Sequence, residues 1–173
     1  HPDLQVVLGL QGVALLGDAP VNRALTLEGV PSAAEATFGG SDPEGSCGRL
    51  RYVRVEFAGL ERARDDELNG LTLAGCGAGT VVSHVLVHQA SDDGIEIFGG
   101  TVALDHVLIT RPGDDGLDWD AGRQGEAQFV AVQLRQPEHG VGEEFGFGVL
   151  EAVVRRVRIG VLQPERRREV DHT

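Results

Sequence analysis

The sequence predicts an all-β chain folded as a right-handed, single-stranded parallel β-helix, with coils of about 22 residues. The first observation is a repeat, because residues 82–100 align with residues 104–122 at a shift that places His84 on His106. The second is that each copy contains two short runs in which apolar and polar residues alternate, the pattern of strands with one buried face. A unit this short cannot bury its own apolar face, so the copies must stack, and parallel crossovers are right-handed.

The rest of the chain extends the same solenoid, and we expect residues 1–173 to form one domain. Three further copies of the repeat are expected: a third at 52–59 and 69–75, a weaker fourth at 129–145, and a fifth that opens at 153–161. One or two more strands are expected within 6–22. The remaining segments are a surface loop at 31–48, a loop at 60–68 that interrupts the third copy, and a charged tail or cap at 164–173. Strands are expected near 51–57, 71–74, 83–88, 95–98, 104–109 and 117–120, with equivalent residues of adjacent copies in contact.

Alternation within the strands predicts which side chains point inward. One inward row contains Leu71, Ile95, Leu117 and Val141, and a second contains Val53, Val85, Val107 and Val130 or its neighbour. Alternation places Trp119 on the inward side of its strand, so we expect it in the core. If Trp119 faced outward beside Asp118, it would offer a sugar-stacking surface.

Composition excludes some partners. The chain has 27 acidic residues and a formal net charge of -12, and its 15 basic residues are all arginines. An acidic surface disfavours nucleic acid and anionic membranes but is compatible with cations. No apolar run approaches the ~20 residues that span a bilayer, so we expect no transmembrane segment. The chain begins at His1 and has no Met, which indicates a processed product or a piece of a longer protein.

The two cysteines precede equivalent strands on adjacent coils. Cys47 and Cys76 are therefore expected within the Cα distance that a disulfide needs, although two buried free thiols remain an alternative. A bridge would fit an extracytoplasmic location: secreted, periplasmic or on the outer surface.

Acidic side chains accumulate on the outward face of the second strand of each copy. Listed together, the expected ligand-binding residues are Glu96, Asp118, Asp120 and Glu144, and the expected metal ligands are Asp92, Asp93, Asp114, Asp115 and Asp118. Stacked carboxylates repel unless a cation lies between them, and Ca²⁺ takes oxygen ligands held on a rigid scaffold. The alternative is that Asp93 and Asp115 only stabilise Asp-Gly turns. His84 and His106 are expected to stack, either as surface residues or as a transition-metal pair that lacks a readable third ligand.

Two resemblances follow from these motifs. The ordered segments GVALLGDAPVN, GRLRYVRVEFAG, NGLTLAG, SDDGIEIFGG and GDDGLDWDAG, within residues 6–135, resemble a group of bacterial secreted or lipoprotein-type β-helix proteins. That likeness implies an extracytoplasmic β-helix. The spacing of SDDG, GDDG and EHG is also similar to that of polygalacturonases, the β-helix glycosidases. This second resemblance implies catalytic roles for Asp93, Asp114 and Asp115, with His139 nearby.

The leading hypothesis is a secreted or surface β-helix that binds a glycan or another surface polymer. Ca²⁺ is a candidate ligand on the outward acidic residues named above, hereafter the acidic strip. A polysaccharide-degrading glycosidase or lyase and a purely structural surface element remain open. A substrate-sized groove lined by Glu96, Asp118 and Asp120 would favour an enzyme, whereas a flat face would favour binding or structure.

Overall fold

The fold consists of β-strands that coil around a common core. The computed structural model describes residues 5–9, 12–27, 36–59, 61–63, 66–134 and 150–159. The strands, in chain order, are β1 (Gln5–Gly9), β2 (Gly12–Leu16), β3 (Arg49–Glu56), β4 (Glu61–Ala63), β5 (Asp66–Glu67), β6 (Leu71–Ala74), β7 (Val81–His88), β8 (Ile95–Phe98), β9 (Ala103–Thr110), β10 (Leu117–Asp120), β11 (Gly125–Gln133) and β12 (Leu150–Ile159).

Two five-stranded sheets carry the repeat. The short-strand sheet has the order β1-β2-β6-β8-β10, and the long-strand sheet has the order β12-β11-β9-β7-β3. Equivalent strands of successive coils pair in parallel. Ile95 lies opposite Leu117 in the short-strand sheet and Val85 lies opposite Val107 in the long-strand sheet, each pair 22 residues apart. The parallel β-helix that the repeat predicts is therefore confirmed.

The core lies between the two sheets and contains the predicted inward rows. Leu71, Ile95, Val85, Val107 and Val130 are each at most 1% exposed. Val53 and Leu117 are partly buried and pack against this core. Rows of like residues at the ~4.8 Å strand spacing bury apolar surface continuously from coil to coil. Val141 lies outside the described residues.

Four strands of the long-strand sheet, β3, β7, β9 and β11, each bend sharply at one residue, a feature that the sequence pattern did not reveal. Tyr52, His84, His106 and Phe129 have φ values of 53–56° and occupy equivalent positions on β3, β7, β9 and β11. A left-handed conformation costs roughly 1–2 kcal/mol for a residue with a Cβ. Their rings stack in sequence with centroids 4.5–4.7 Å apart, and aromatic contacts contribute about 0.5–1.5 kcal/mol each, which offsets part of that cost.

Three peripheral predictions need correction. Segment 153–161 does not open a fifth parallel coil, because β12 runs antiparallel to β11. Segment 60–68 is not purely a loop, since β4 and β5 pair there as a short antiparallel hairpin. The loop predicted at 31–48 is not wholly on the surface, because Phe38 is only 7% exposed and packs in a second apolar cluster on the outside of the short-strand sheet. Residues 28–35 lie outside the described part.

Trp119 is also not a core residue, because it is 40% exposed. It lies opposite the buried Ile97, so its side chain is on the inward side of the strand, as alternation requires, whereas Asp118 is on the outward side. Within the described residues β10 is the outermost strand of its sheet, so alternation specifies the side of Trp119 but not its burial. The predicted tail at 164–173 lies outside the described residues.

The two cysteines are joined across adjacent coils. The Sγ atoms of Cys47 and Cys76 form a disulfide bond, with Cα atoms 5.4 Å apart. Both residues are at most 1% exposed and belong to the core between the sheets. The bond ties the segment before β3 to the turn between β6 and β7.

Candidate functional site

The outward face of the short-strand sheet carries the acidic residues. Glu96 on β8 lies between Thr72 on β6 and Asp118 on β10, in the register that alternation predicts. The next outward position holds Phe98 and Asp120 in the same two strands. Because equivalent outward positions lie one strand apart, the sheet brings these carboxylates together.

The turns before the strands add further carboxylates. Asp93 precedes β8, and its Oδ1 accepts a hydrogen bond from the backbone N–H of Asp115 on the next coil at 2.9 Å. Close packing of these turns requires glycine, since a Cβ on Gly113 would lie 1.8 Å from the Ser91 carbonyl oxygen. Asp93 therefore has the structural role of a turn residue, but only one of its oxygens is used in that bond.

Two groups of carboxylates result, and they share Asp93. Ligand oxygens of Asp93, Glu96 and Asp118, hereafter the carboxylate trio, lie within 4.8 Å of one another. Oxygens of Asp92, Asp93 and Asp114 satisfy the same limit. Asp115 belongs to neither group and is exposed. His139 and Glu144 lie outside the described residues.

Burial and the repulsion of neighbouring carboxylates make Glu96 and Asp93 resist ionisation. Burial raises the pKa of Glu96 to about 7; a hydrogen bond from Asn69 opposes the rise, and the charges of Asp93 and Asp118 add to it. Burial likewise raises the pKa of Asp93 to about 6, against the hydrogen bond from the Asp115 backbone. The two carboxyl groups therefore hold protons far above their ordinary range unless a cation replaces them.

A groove forms over this surface because residues 19–27 and 36–38, hereafter the crossing segment, lie on the outside of the sheet. Backbone hydrogen bonds from Ala19 to Gly75 and from Asn22 to Ala121 fix the crossing segment at one corner of the coils. Its apolar residues, Leu25, Leu27 and Phe38, pack with or beside Phe98. The resulting cavity of about 480 Å³, hereafter the acidic groove, is lined by Arg23, Leu25, Thr26, Leu27, Phe38, Asn69, Asp92, Asp93, Glu96, Phe98, Asp114 and Asp120.

Two polar residues of the groove were not predicted from sequence. Arg23 forms a salt bridge with Asp120, which is therefore paired with a cation from the crossing segment and not with a neighbour on the sheet. Asn69 is 4% exposed, and its Nδ2 donates to Glu96 Oε2 and to Thr72 Oγ1. Its Oδ1 is buried without a hydrogen-bond partner among the described residues.

The sequence does contain a pattern that could have identified Asn69 as a groove residue. Asn69-Gly70 precedes β6 as Asp93-Gly94 precedes β8, and the Gly70 N–H donates to the Asp93 carbonyl. Asn69 is thus the equivalent of Asp93 one coil earlier. No local pattern marks Arg23, because it meets Asp120 only through the crossing segment.

Comparison with known proteins agrees with this architecture. Residues 8–146 match the model of a family described as the pectate-lyase-like β-helix domain. The chain belongs to this family. No curated protein and no solved structure matches it. The family match covers every strand that contributes to the acidic groove. A pectate-lyase-like β-helix domain indicates a glycan-related protein, whereas the narrower bacterial grouping that the motifs resembled receives no separate support. Among the described residues, no helix is long and apolar enough to cross a membrane.

The oxygen atoms that this pectate-lyase-like β-helix domain could offer as metal ligands suit a hard cation. The carboxylate trio and Asn69 Oδ1 are all oxygen acceptors, and Ca²⁺ takes six to eight oxygen ligands from carboxylates, amide carbonyls and water. An orphaned acceptor beside repelling carboxylates is the environment that a bound cation would relieve.

Proposed function

We propose that this protein is an extracytoplasmic glycan-binding β-helix that holds Ca²⁺ in its acidic groove. The observation that carries the proposal is the convergence of the carboxylate trio within 4.8 Å beside a cavity that Asp93, Glu96 and Asn69 line and Asp118 does not. The Oδ1 of Asn69 is buried without a hydrogen-bond partner among the described residues. The disulfide between Cys47 and Cys76 supports a location outside the reducing cytoplasm.

The residues that form the walls of the groove favour a glycan as the polymer that it binds. Leu25, Leu27 and Phe98 give it an apolar side, and the carboxylates give it a polar floor. Sugars have apolar C–H faces and hydroxyl edges, so a groove with both kinds of wall fits them. Ca²⁺ would be held by Asp93, Glu96, Asp118 and Asn69, and its remaining coordination would be completed by water or by oxygens of an acidic glycan.

Thermal unfolding with and without Ca²⁺ tests the cation. Ligand at about 100 times its dissociation constant stabilises a fold by about 2.7 kcal/mol, which raises the melting temperature of a chain of this size by roughly 5–10 °C. Asp118→Asn should abolish the rise and leave the fold intact, because position 118 is not in the core. The matched control is Asp115→Asn, an exposed acid of the same coil outside both carboxylate groups, which should keep the rise.

Binding to immobilised acidic and neutral polysaccharides, measured with Ca²⁺ and with chelator, then tests the glycan. We expect retention on an acidic polysaccharide that depends on both Ca²⁺ and Asp118. An unchanged melting temperature in millimolar Ca²⁺, together with no retention on any polysaccharide, would contradict the proposal and leave the groove as a structural feature.

A second candidate, a polysaccharide-cleaving enzyme, is favoured by the raised pKa of Glu96. A carboxyl group whose pKa lies near 7 can hold a proton for donation at neutral pH, which is a property of a general acid. The groove includes Glu96 and Asp120, the kind of cavity expected for an enzyme. Release of reducing ends or of unsaturated products from acidic polysaccharides, lost in Glu96→Gln, would distinguish cleavage from binding alone.

A further inference from the structure

The outer surface of the long-strand sheet carries an exposed row of four rings, hereafter the ring ladder. Its members are Tyr52, His84, His106 and Phe129. The two imidazoles at its centre are nearly parallel, with an interplanar angle of 6° and centroids 4.6 Å apart. The ladder lies on a different sheet from the acidic groove and shares no lining residue with it.

One carboxylate organises both imidazoles. Asp105 Oδ1 lies 2.9 Å from His106 Nδ1, and Asp105 Oδ2 accepts from Ser83 Oγ at 3.3 Å. Ser83 Oγ in turn lies 2.8 Å from His84 Nδ1. A serine has one hydroxyl proton, and the Asp105 carboxylate can only accept it. Because Ser83 donates that proton to Asp105, its Oγ accepts the hydrogen bond from His84 Nδ1–H. With these hydrogen bonds, the neutral form of each ring carries its proton on Nδ1 and has a lone pair on Nε2.

Asp105 is suited to this role by its contacts. Its Oδ1 also accepts a hydrogen bond from Gln128 Nε2 at 3.1 Å, which holds the carboxylate in place beside His106. A carboxylate that accepts from histidine Nδ1–H is the usual partner of a metal-ligating imidazole, since it fixes the tautomer and makes Nε2 more basic.

We infer that His84 and His106 bind a divalent transition-metal ion through their Nε2 atoms, with Asp105 as the orienting residue. No hydrogen bond among the described residues occupies either Nε2, and both side chains are exposed. Metal–nitrogen bonds of about 2.0–2.1 Å require the two rings to tilt toward each other from their parallel stack. Imidazole nitrogen selects Cu²⁺, Ni²⁺ or Zn²⁺ over Ca²⁺, with Cu²⁺ bound most tightly, so this site and the acidic groove differ in the ions they take.

Titration of the full chain with Cu²⁺ tests the inference, in the presence of millimolar Ca²⁺ to occupy oxygen sites. Calorimetry measures affinity, and electron paramagnetic resonance counts the coordinating nitrogens through their hyperfine coupling. The ligand-deleting variants are His84→Phe and His106→Phe. Phenylalanine preserves the stack, because Phe129 already occupies the equivalent position on β11 with nearly the same φ. The control is His88→Gln, which removes a histidine of β7 whose partner is Thr110 and not the central pair.

Each phenylalanine variant should lower Cu²⁺ affinity at least about tenfold and leave one coupled nitrogen where the native chain has two. Asp105→Asn should lower affinity about 10- to 100-fold with both nitrogens retained, and His88→Gln should change neither readout. The double variant His84→Phe/His106→Phe measures any copper bound by the histidines outside the described residues. Identical spectra and affinity in the native chain and this double variant, or a loss in His88→Gln equal to that in His106→Phe, would overturn the inference.

Discussion

Glu96→Gln is the substitution that most directly separates the stability of the fold from the function of the groove. Glu96 is partly buried beside Asp93 and Asp118, and its pKa is raised from 4.5 to about 7. Glutamine has the same shape and still accepts the hydrogen bond from Asn69, so the substitution removes the charge and little else. We expect the variant to be more stable than the native chain at pH 8 without Ca²⁺.

The magnitude follows from the pKa shift. A rise from 4.5 to about 7 corresponds to roughly 3 kcal/mol of penalty on the ionised form, and solvent screening of a partly exposed carboxylate reduces this to about 1–2 kcal/mol. The sign is fixed by proton uptake. Between about pH 4.5 and 7 the folded state binds more protons at this site than the unfolded chain, so native stability falls as pH rises. The penalty is absent below that window and complete above it.

Urea unfolding over this pH range gives the assay. The free energy of unfolding of Glu96→Gln should exceed that of the native chain by about 1–2 kcal/mol at pH 8, and the two values should converge toward pH 4.5. Saturating Ca²⁺ should stabilise the native chain but not the variant. The matched control is Glu44→Gln, an exposed site away from the trio, which should leave stability unchanged at each pH. A variant that is less stable than the native chain at pH 8 would refute the electrostatic reasoning.

Two further outcomes follow from the coil turns. Replacement of Cys47 and Cys76 together by serine should cost about 2–4 kcal/mol of stability by urea unfolding, and alkylation with mass spectrometry of native protein purified without reductant should find no free thiol. Gly113→Ala should destabilise the fold by about 1–3 kcal/mol and lower its melting temperature accordingly, because the added Cβ would lie 1.8 Å from the Ser91 carbonyl oxygen of the previous coil. A Gly113→Ala melting curve that matches the native one would show that the turns can open without cost.

Sequence alone predicted the parts of the fold that depend on periodicity. The shift that aligns His84 with His106 is the register of the long-strand sheet, and the alternation in β8 and β10 placed Glu96 beside Asp118. The direction of β12 was not predictable, because alternation is the same in parallel and antiparallel strands and this segment lacks the full repeat that indicated parallel stacking elsewhere. β12 therefore has the expected strand pattern but runs opposite to β11.

Side-chain burial and contacts between distant segments were the other features that the sequence did not predict. Alternation gave the side of Trp119, but its exposure depends on what lies beyond β10, which no pattern within the strand encodes. Arg23 and Phe38 reach the groove through a segment without a repeat, so their contacts with Asp120 and Phe98 arise from the tertiary path of the chain. The acidic strip was thus predictable, whereas the wall that makes it a groove was not.

The groove illustrates how a solenoid can hold a site without disturbing its core. In the row Leu71, Ile95 and Leu117 the inward residues are similar, because each must fill the same space between the sheets. The outward neighbours of that row have no such constraint and change from coil to coil, from a buried threonine to two carboxylates. Asn69 occupies the turn position that Asp93 holds one coil later, and it supplies a donor to Glu96 where a third aspartate would add another charge. Variation between coils, and not the repeat itself, therefore sets the chemistry of the groove.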